Sequence, residues 1–484
     1  MQRTLLILLV AVSYLLLAGG RPWTLGPLLG LAALTVLASP RRTLTFRPAW
    51  RLLDLALILI VAAIVIQLIP LPSAVVQSLS PQAQRVRAAL EFAPLTPQPE
   101  AWMTFSVDPA ATARALATVL IGVVSFWVAR ALFGAGGHTR AFCRAIALIG
   151  AVMAVMALVQ KSTAPKLLMF TVEPEARSTN PFGAFTNRNH MAAWLLLIAA
   201  PLVGYVIARV RINPDYRTRF LVSFRHFLVS GAALTALASI VIVVTLLATL
   251  SRSGVIALGV AAITACLLGR SRMQFERSSL AAVIGTVGVV VVVTMAFVDL
   301  DGWATRWQES FDTGSIEFSR MRIWQETLSV IRDFWVTGTG AGTYSEAMTQ
   351  YQQSRVWVGS MQRWAHFNNA HSHYLQVTSE GGLLLAIPAL AALAAFVALA
   401  GRTIAADKGE MFWVRAGAAA GLAGLAVQSI WEVALTMPAN AVLTGVLAGL
   451  VVYQRDGTRS SPVPTPESPT PRPTPARTHA DRRP

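Results

Sequence analysis

Apolar residues in this 484-residue chain are gathered into runs of about 15 to 23, separated by short basic stretches, and this pattern restricts the fold more than any motif does. A run of that length in hydrocarbon must form a helix, because only a helix satisfies its own backbone hydrogen bonds where no water can. Twelve spans are expected: Thr4–Gly19, Leu25–Ala38, Leu52–Pro70, Leu116–Leu132, Ala145–Val159, Met191–Val210, Leu228–Leu250, Gly254–Leu268, Leu280–Val298, Leu383–Ala400, Ala416–Leu435 and Ala441–Val452. The chain thus reads as an all-α integral membrane protein of about 12 transmembrane helices. Thr4–Gly19 resembles a signal-peptide core but runs into the next apolar segment without a clear cleavage site, so it reads as a retained first helix.

Hydrophobic residues make up 55% of the chain and charged ones 13%, a membrane composition. The net charge of +17 comes mostly from arginines in short inter-span segments, with no basic block interleaved with aromatics. It reads as topology, and a nucleic-acid partner is not expected. With the N-terminus in the cytoplasm, the clusters Arg41/Arg42/Arg47/Arg51, Arg140/Arg144, Arg209 to Arg225, Arg270/Arg272/Arg277 and Arg402/Lys408/Arg415 all fall inside. Both termini are then cytoplasmic. Outside fall Pro72 to Arg114, Lys161 to His190, the turn at Ser251-Arg252-Ser253, one large loop from Asp299 to Tyr374, and Thr436 to Asn440.

The expected organisation is nine spans over 1–298, the large loop over 299–374 between spans 9 and 10, three spans over 375–453, and a Pro-rich cytoplasmic tail over 454–484. The tail lacks apolar periodicity and reads as disordered. Cys143 and Cys266, the two cysteines, make neither a disulfide framework nor a zinc site.

Four polar stretches on the outer side call for an explanation, since a charge at a membrane boundary needs a partner. In Phe182-Gly183-Ala184-Phe185-Thr186-Asn187-Arg188-Asn189-His190, Arg188 presents a planar fork suited to two phosphate oxygens, while Asn189 suits a helix cap. Ser251-Arg252-Ser253-Gly254 is too short to shield Arg252, which must find an anion, a carboxylate or water. Ser319-Arg320-Met321-Arg322-Ile323-Trp324 opens an amphipathic stretch whose apolar face is expected at Trp324, Leu328, Ile331 and Trp335, followed by a tight bend at Gly338, Gly340 and Gly342.

The fourth, Asn368-Asn369-Ala370-His371-Ser372-His373-Tyr374-Leu375-Gln376, leads to Glu380-Gly381-Gly382. Histidines at i and i+2 point to different sides of a helix, so metal binding is not expected, whereas one histidine suits a general base. Three fixed cations and one potential base on the same face make a site for a lipid-linked pyrophosphate. The large loop also holds Trp303, Trp307, Trp324, Trp335, Trp357 and Trp364, which suit sugar stacking and an interfacial belt equally well.

These segments, in this order and spacing over about Phe105 to Ala400, resemble the O-antigen ligase and polymerase family of bacterial surface-polysaccharide assembly. The match rests on Gly183 to His190, Thr249-Leu250-Ser251-Arg252-Ser253-Gly254, Arg320 with Trp324 and the three glycines, and Ala370-His371 with Tyr374-Leu375-Gln376 and Glu380-Gly381-Gly382. Phe105-Ser106-Val107-Asp108-Pro109 with Thr112 adds to it. Where the family often has Asn-Asp after its histidine, this chain has Ser372 and His373, and the register of Tyr374-Leu375-Gln376 favours His371 as the equivalent.

The resemblance implies a glycosyltransferase of the polytopic C type in the bacterial inner membrane, using no metal or cofactor. It implies a glycan donor on undecaprenyl pyrophosphate and, as acceptor, another glycan or lipid A core. His371 would activate the acceptor hydroxyl; Arg188 and Arg252 would grip the pyrophosphate; Arg320, with Arg322, His373 and Glu380, would contact donor or acceptor. Membrane lipids and other polysaccharide-assembly proteins are the further expected partners. The motif Asn187-Arg188-Asn189-His190 is closer to exopolysaccharide polymerases than to ligases. A transporter is the alternative from another class, with Asp54, Gln67, Gln428, Glu432 and a tenth span broken at Pro388 as its intramembrane features.

Overall fold

The computed structural model describes residues 1–39, 48–90, 101–174, 180–212, 231–272, 316–354, 357–358 and 363–454. The ninth expected span, the start of the large loop with Trp303 and Trp307, and the Pro-rich tail lie outside these residues.

Each of the other eleven expected spans coincides with a helix: α1 (Gln2–Leu15), α2 (Leu25–Leu37), α3 (Arg51–Leu68), α6 (Pro109–Gly134), α7 (Thr139–Thr163), α8 (Arg188–Ile212), α9 (Gly231–Ala248), α10 (Arg252–Gly269), α13 (His373–Ala406), α14 (Phe412–Gln428) and α15 (Pro438–Val452). Between them come the short helices α4 (Ser73–Leu79) and α5 (Ala83–Leu90), then α11 (Ile316–Asp333) and α12 (Tyr344–Tyr351). The strands among the described residues are two-residue pairs, Leu71–Pro72 with Trp102–Met103 and Trp357–Val358 with Arg363–Trp364. Among the described residues, six helical segments are long and apolar enough to cross a membrane, and shorter apolar helices accompany them. The molecule is an all-α polytopic membrane protein.

Helix α8 is the axis of the bundle, with residues 191–198 fully buried against α7, α9, α10, α14 and α15. Small residues let the helices approach closely, as they must where lipid supplies no hydrophobic drive. A side chain on Gly417 or Gly421 of α14 would run into Ala200 of α8, and one on Gly445 or Gly449 of α15 would run into the backbone of α6.

Two segments that are far apart in sequence fold as one cap. Val76, Val86, Met103, Phe105 and Val107 of the first pack with Ile323, Val330, Phe334, Tyr344 and Met348 of the second. The inward face of α11 is one residue away from the expected one. Ile323 (5%), Val330 (0%) and Phe334 (1%) are buried, whereas Leu328 (55%) and Trp335 (58%) are exposed. Both faces of this helix carry apolar residues, so periodicity alone did not separate them.

Helix α13 is interrupted at Gly382 (φ 53, ψ −156), not at Pro388. The amides freed by the break are satisfied by the cap: Leu383 N donates to Trp335 O (2.7 Å) and Leu384 N to Val336 O (3.0 Å). The tenth span, expected from Leu383, begins at the residue after this break.

Candidate active site

The four polar stretches meet at one end of the bundle, where α8, α10, α13 and α15 begin and α14 ends. Three of those helices carry a side-chain cap. Asn187 Oδ1 accepts from Asn189 N (2.9 Å), Ser251 Oγ from Gly254 N (3.1 Å), and Ser372 Oγ from Leu375 N (3.5 Å). The cap of α8 is therefore Asn187, and not Asn189 as expected. These N-termini add partial positive charge to the arginines already there.

Arg188 opens α8 after a loop pinned from two sides. Gly183 (φ 61) lies against Tyr14 and Ala157, where a Cβ would not fit, and its N–H donates to Gln160 Oε1 (2.9 Å). Arg252 opens α10, and Gly254 two residues on lies against Ala192, one turn along α8 from Arg188. Leu250 ahead of Ser251 has φ 54 and His371 ahead of Ser372 has φ 48, so both turns place a left-handed residue before a serine cap. That backbone is strained for leucine and tolerable for histidine, and it persists only where the surroundings enforce it.

At His371 the surroundings are specific. Ala370 N donates to Gln376 Oε1 (3.2 Å), Trp324 Nε1 donates to Ala370 O (3.0 Å), and His373 N donates to Ser429 O (2.8 Å). Because Trp324 is one turn after Arg320 on α11, this bond ties the arginine to the histidine turn. His371 is half-buried, and burial, reinforced by the Arg320 charge, holds its ring down at about 4, so it is neutral at physiological pH.

The hub of the cluster is a residue not assigned to the site from sequence. Glu432, in the turn between α14 and α15, is 1% exposed, and its Oε1 accepts from both Asn189 Nδ2 (2.6 Å) and Arg320 Nη2 (2.9 Å). Arg188 is also within electrostatic reach of it, and burial lifts the carboxyl up to about 7. The expected eleventh span ran to Leu435, but α14 stops at Gln428, which leaves Glu432 in the turn. Its signal in the sequence was a carboxylate near a span end, where burial demands a cationic partner.

Around it, buried polar atoms without a partner in the protein accumulate: Glu432 Oε2, Arg320 Nε, Gln428 Oε1, Asn440 Oδ1, His373 Nδ1 and both ring nitrogens of His190. Such atoms are rare in a folded interior, and a group of them marks a place shaped for polar ligands or water. Backbone contacts join the same elements: Gln428 Nε2 donates to Asn189 O (3.0 Å) and Asn440 Nδ2 to His190 O (3.2 Å).

Two expected site residues have other surroundings. Arg322 is exposed and projects from α11 on the side away from Arg320, since two residues make about 200° of helix. Glu380 is buried and occupied by the glycine bend: Gly342 N (2.7 Å) and Tyr344 N (3.3 Å) donate to its carboxylate, as does Gln376 Nε2 (3.0 Å). Its carbonyl accepts from Gly340 N (2.9 Å) and from Gln67 Nε2 (2.9 Å). Gly338, Gly340 and Gly342 all have positive φ, so the bend expected there is present. Gln67 thus braces the bend, and Asp54 pairs with Arg130 at the other end of the bundle. Among the described residues no three His, Cys, Asp or Glu side chains converge as metal ligands would.

Residues 237–390 match the family model described as O-antigen ligase, a segment that contains Arg252, Arg320, His371, His373 and Glu380 but neither Arg188 nor Glu432. No curated protein matches the chain. Residues 237–390 thus form a domain similar to O-antigen ligase, and this match supports the O-antigen ligase and polymerase family for that part of the chain.

Proposed function

We propose that this protein is a glycosyltransferase of the bacterial inner membrane that moves a glycan from undecaprenyl pyrophosphate to an acceptor hydroxyl at the periplasmic face. The observation that carries the reading is the gathering of Arg188, Arg320 and His371 around one buried turn, with Arg252 at the same end of the bundle.

The reaction breaks the bond between the anomeric carbon and a phosphate oxygen, so negative charge grows on the leaving pyrophosphate. Fixed guanidinium groups and helix N-termini stabilise that charge as it develops, without a metal. Arg188 and Arg252 are assigned to the pyrophosphate, and Arg320 to the donor or acceptor beside it. His371 takes the proton of the attacking hydroxyl. Its ring is neutral and able to accept a proton, and the charge of a bound pyrophosphate makes the resulting imidazolium easier to form next to Arg320. Attack opposite the leaving group inverts the anomeric centre.

The acceptor decides between two names. Transfer to another lipid-linked glycan makes the protein a polymerase, the reading that its Asn187-Arg188-Asn189-His190 motif favours by resemblance. Transfer to lipid A core makes it a ligase. The deciding experiment uses purified protein in liposomes with EDTA, an undecaprenyl-pyrophosphate glycan, and each acceptor in turn. Lengthened lipid-linked glycan supports the polymerase, and product formed only with lipid A core supports the ligase. Full activity of His371→Ala would remove the histidine from its role.

A further inference from the structure

We infer that Glu432 is a positioning residue for this transfer, whose carboxylate holds Arg320 and Asn189 in the geometry that meets the donor. The inference rests on the glycosyl-transfer reading above. One oxygen, Glu432 Oε1, receives both Asn189 Nδ2 at 2.6 Å and Arg320 Nη2 at 2.9 Å, so a single atom ties the start of α8 to α11 of the cap. The Arg320 fork is only half used by this contact. Its Nε is buried and unpartnered, as is Glu432 Oε2, so each side chain of the pair keeps one buried polar atom unused by the protein.

A purely structural reading accounts poorly for this arrangement. Burying a carboxylate is costly, and a turn between two apolar helices can be closed by apolar side chains. What the carboxylate contributes is aim. Arginine has a long side chain with much rotamer freedom, and an anion at its Nη2 selects one orientation of the fork before the substrate arrives.

The charged and titratable groups around Glu432 come from each neighbouring element. Arg188 lies on α8, Arg320 on α11, and His371 on the turn beside Arg320, with His190 facing His371. With Glu432 ionised, its charge offsets the repulsion between the two guanidinium groups. Protonation removes that charge and weakens both hydrogen bonds, so the fork loses its aim. Burial lifts the Glu432 carboxyl up to about 7, which places this loss near neutrality, whereas His371 stays unprotonated down to about 4. A decline of activity just below neutrality is therefore expected from Glu432 and not from His371.

The test measures kcat and KM for an undecaprenyl-pyrophosphate glycan with full-length protein in liposomes, from about pH 5 to about pH 9, for wild type, Glu432→Gln and Glu432→Asp. Glu432→Gln is expected to lower kcat about tenfold or more and to abolish the acidic limb near neutrality, leaving the profile flat until His371 titrates. Glu432→Asp, which keeps the charge, is expected to regain part of the rate and the limb. If Glu432→Gln does not fold, Glu432→Asp carries the test alone, with a reduced rate and a shifted limb as the expected result. A wild-type rate and limb in Glu432→Gln, or a wild-type rate with no limb in Glu432→Asp, overturns the inference while leaving the transfer reading intact. Failure of the wild type to transfer any glycan from the lipid pyrophosphate overturns that reading, and the inference with it.

Discussion

The side chain of Asn189 donates to the carboxylate of Glu432 at 2.6 Å across 243 positions of sequence, and the same carboxylate oxygen holds Arg320. Three segments with no local relationship, at the start of α8, on α11 and in the turn after α14, thereby share one atom. The geometry of the cationic site depends on that atom as much as on the arginines.

Arg320 and Arg322 should separate sharply in a transfer assay. Arg320→Ala removes the fork and leaves Glu432 buried beside one fewer cation, so turnover should fall about a hundredfold or more. Arg320→Lys should recover little, because a point charge cannot bond Glu432 and a substrate oxygen in the plane of a fork. Arg322→Ala, on the exposed side of the same helix, should stay within about twofold of wild type, as surface substitutions generally do. Equal losses in Arg320→Ala and Arg322→Ala would contradict the orientation of α11.

Asn189→Ala should also slow transfer, by about tenfold, through loss of one of the two bonds that set Glu432. Asn189→Asp should be worse, since it brings a second carboxylate against Glu432 in place of a donor. Steady-state kinetics of the two variants at one pH, compared with Glu432→Gln, distinguish a shared device from three independent contacts. Strictly additive losses in the double variant Asn189→Ala with Glu432→Gln would sink the idea.

Most of the membrane architecture was legible in the sequence because hydrocarbon admits so few solutions. Runs such as Leu52–Pro70 and Ala145–Val159 could only be helices, and they are. The site was legible in parts. Arg188, Arg252 and His371 stood out as cationic or basic groups at the borders of apolar runs, but Glu432 looked like one more polar residue near the end of such a run. Its role depends on Asn189 and Arg320 arriving from distant segments, and no local pattern encodes that meeting. Helix α11 shows a second limit. Apolar residues occupy positions 323 to 324, 328, 330 to 331 and 334 to 335, and Thr327 is small enough to bury, so a one-residue rotation of the buried face costs the pattern little. What selects the observed face is the bond from Trp324 to Ala370 O and that from Thr327 to Tyr344, both long-range.

Gly382→Ala should damage the site without touching any charged group. Gly382 adopts φ 53 and ψ −156, and a built Cβ would lie 2.6 Å from both Gly338 N and the Val336 carbonyl. Both the strained backbone, costing about 1–3 kcal/mol, and the collision oppose the substitution. The break in α13 is what lets Leu383 and Leu384 bond the cap, so the variant should lower the thermal midpoint and detach the cap from the bundle. Limited proteolysis should then cut within 335–345 faster than in wild type. Unchanged protection there, with an unchanged midpoint, would mean that the break is not needed to seat the cap.

At the opposite end, the Asp54–Arg130 pair offers a test of stability that is separate from catalysis. Arg130 Nη1 and Nη2 bond the two Asp54 oxygens at 2.7 and 3.1 Å, Trp127 Nε1 adds a bond at 2.9 Å, and the guanidinium lies 4.2 Å from the Trp50 ring centroid. Both charges are buried, so removing either leaves the other unpaired, at a cost of about 3–5 kcal/mol. Asp54→Asn and Arg130→Met should each therefore destabilise the detergent-solubilised protein strongly. The double variant should be less affected than the sum of the two, because no lone charge remains once both partners are gone. A double-mutant cycle on thermal unfolding reads this directly, and additive losses would show that the pair is not coupled. Transfer by whatever folded protein survives should be close to wild type per molecule, since neither residue reaches the cluster around Glu432; a fall in kcat as large as that for Arg320→Ala would instead tie the two ends of the bundle together.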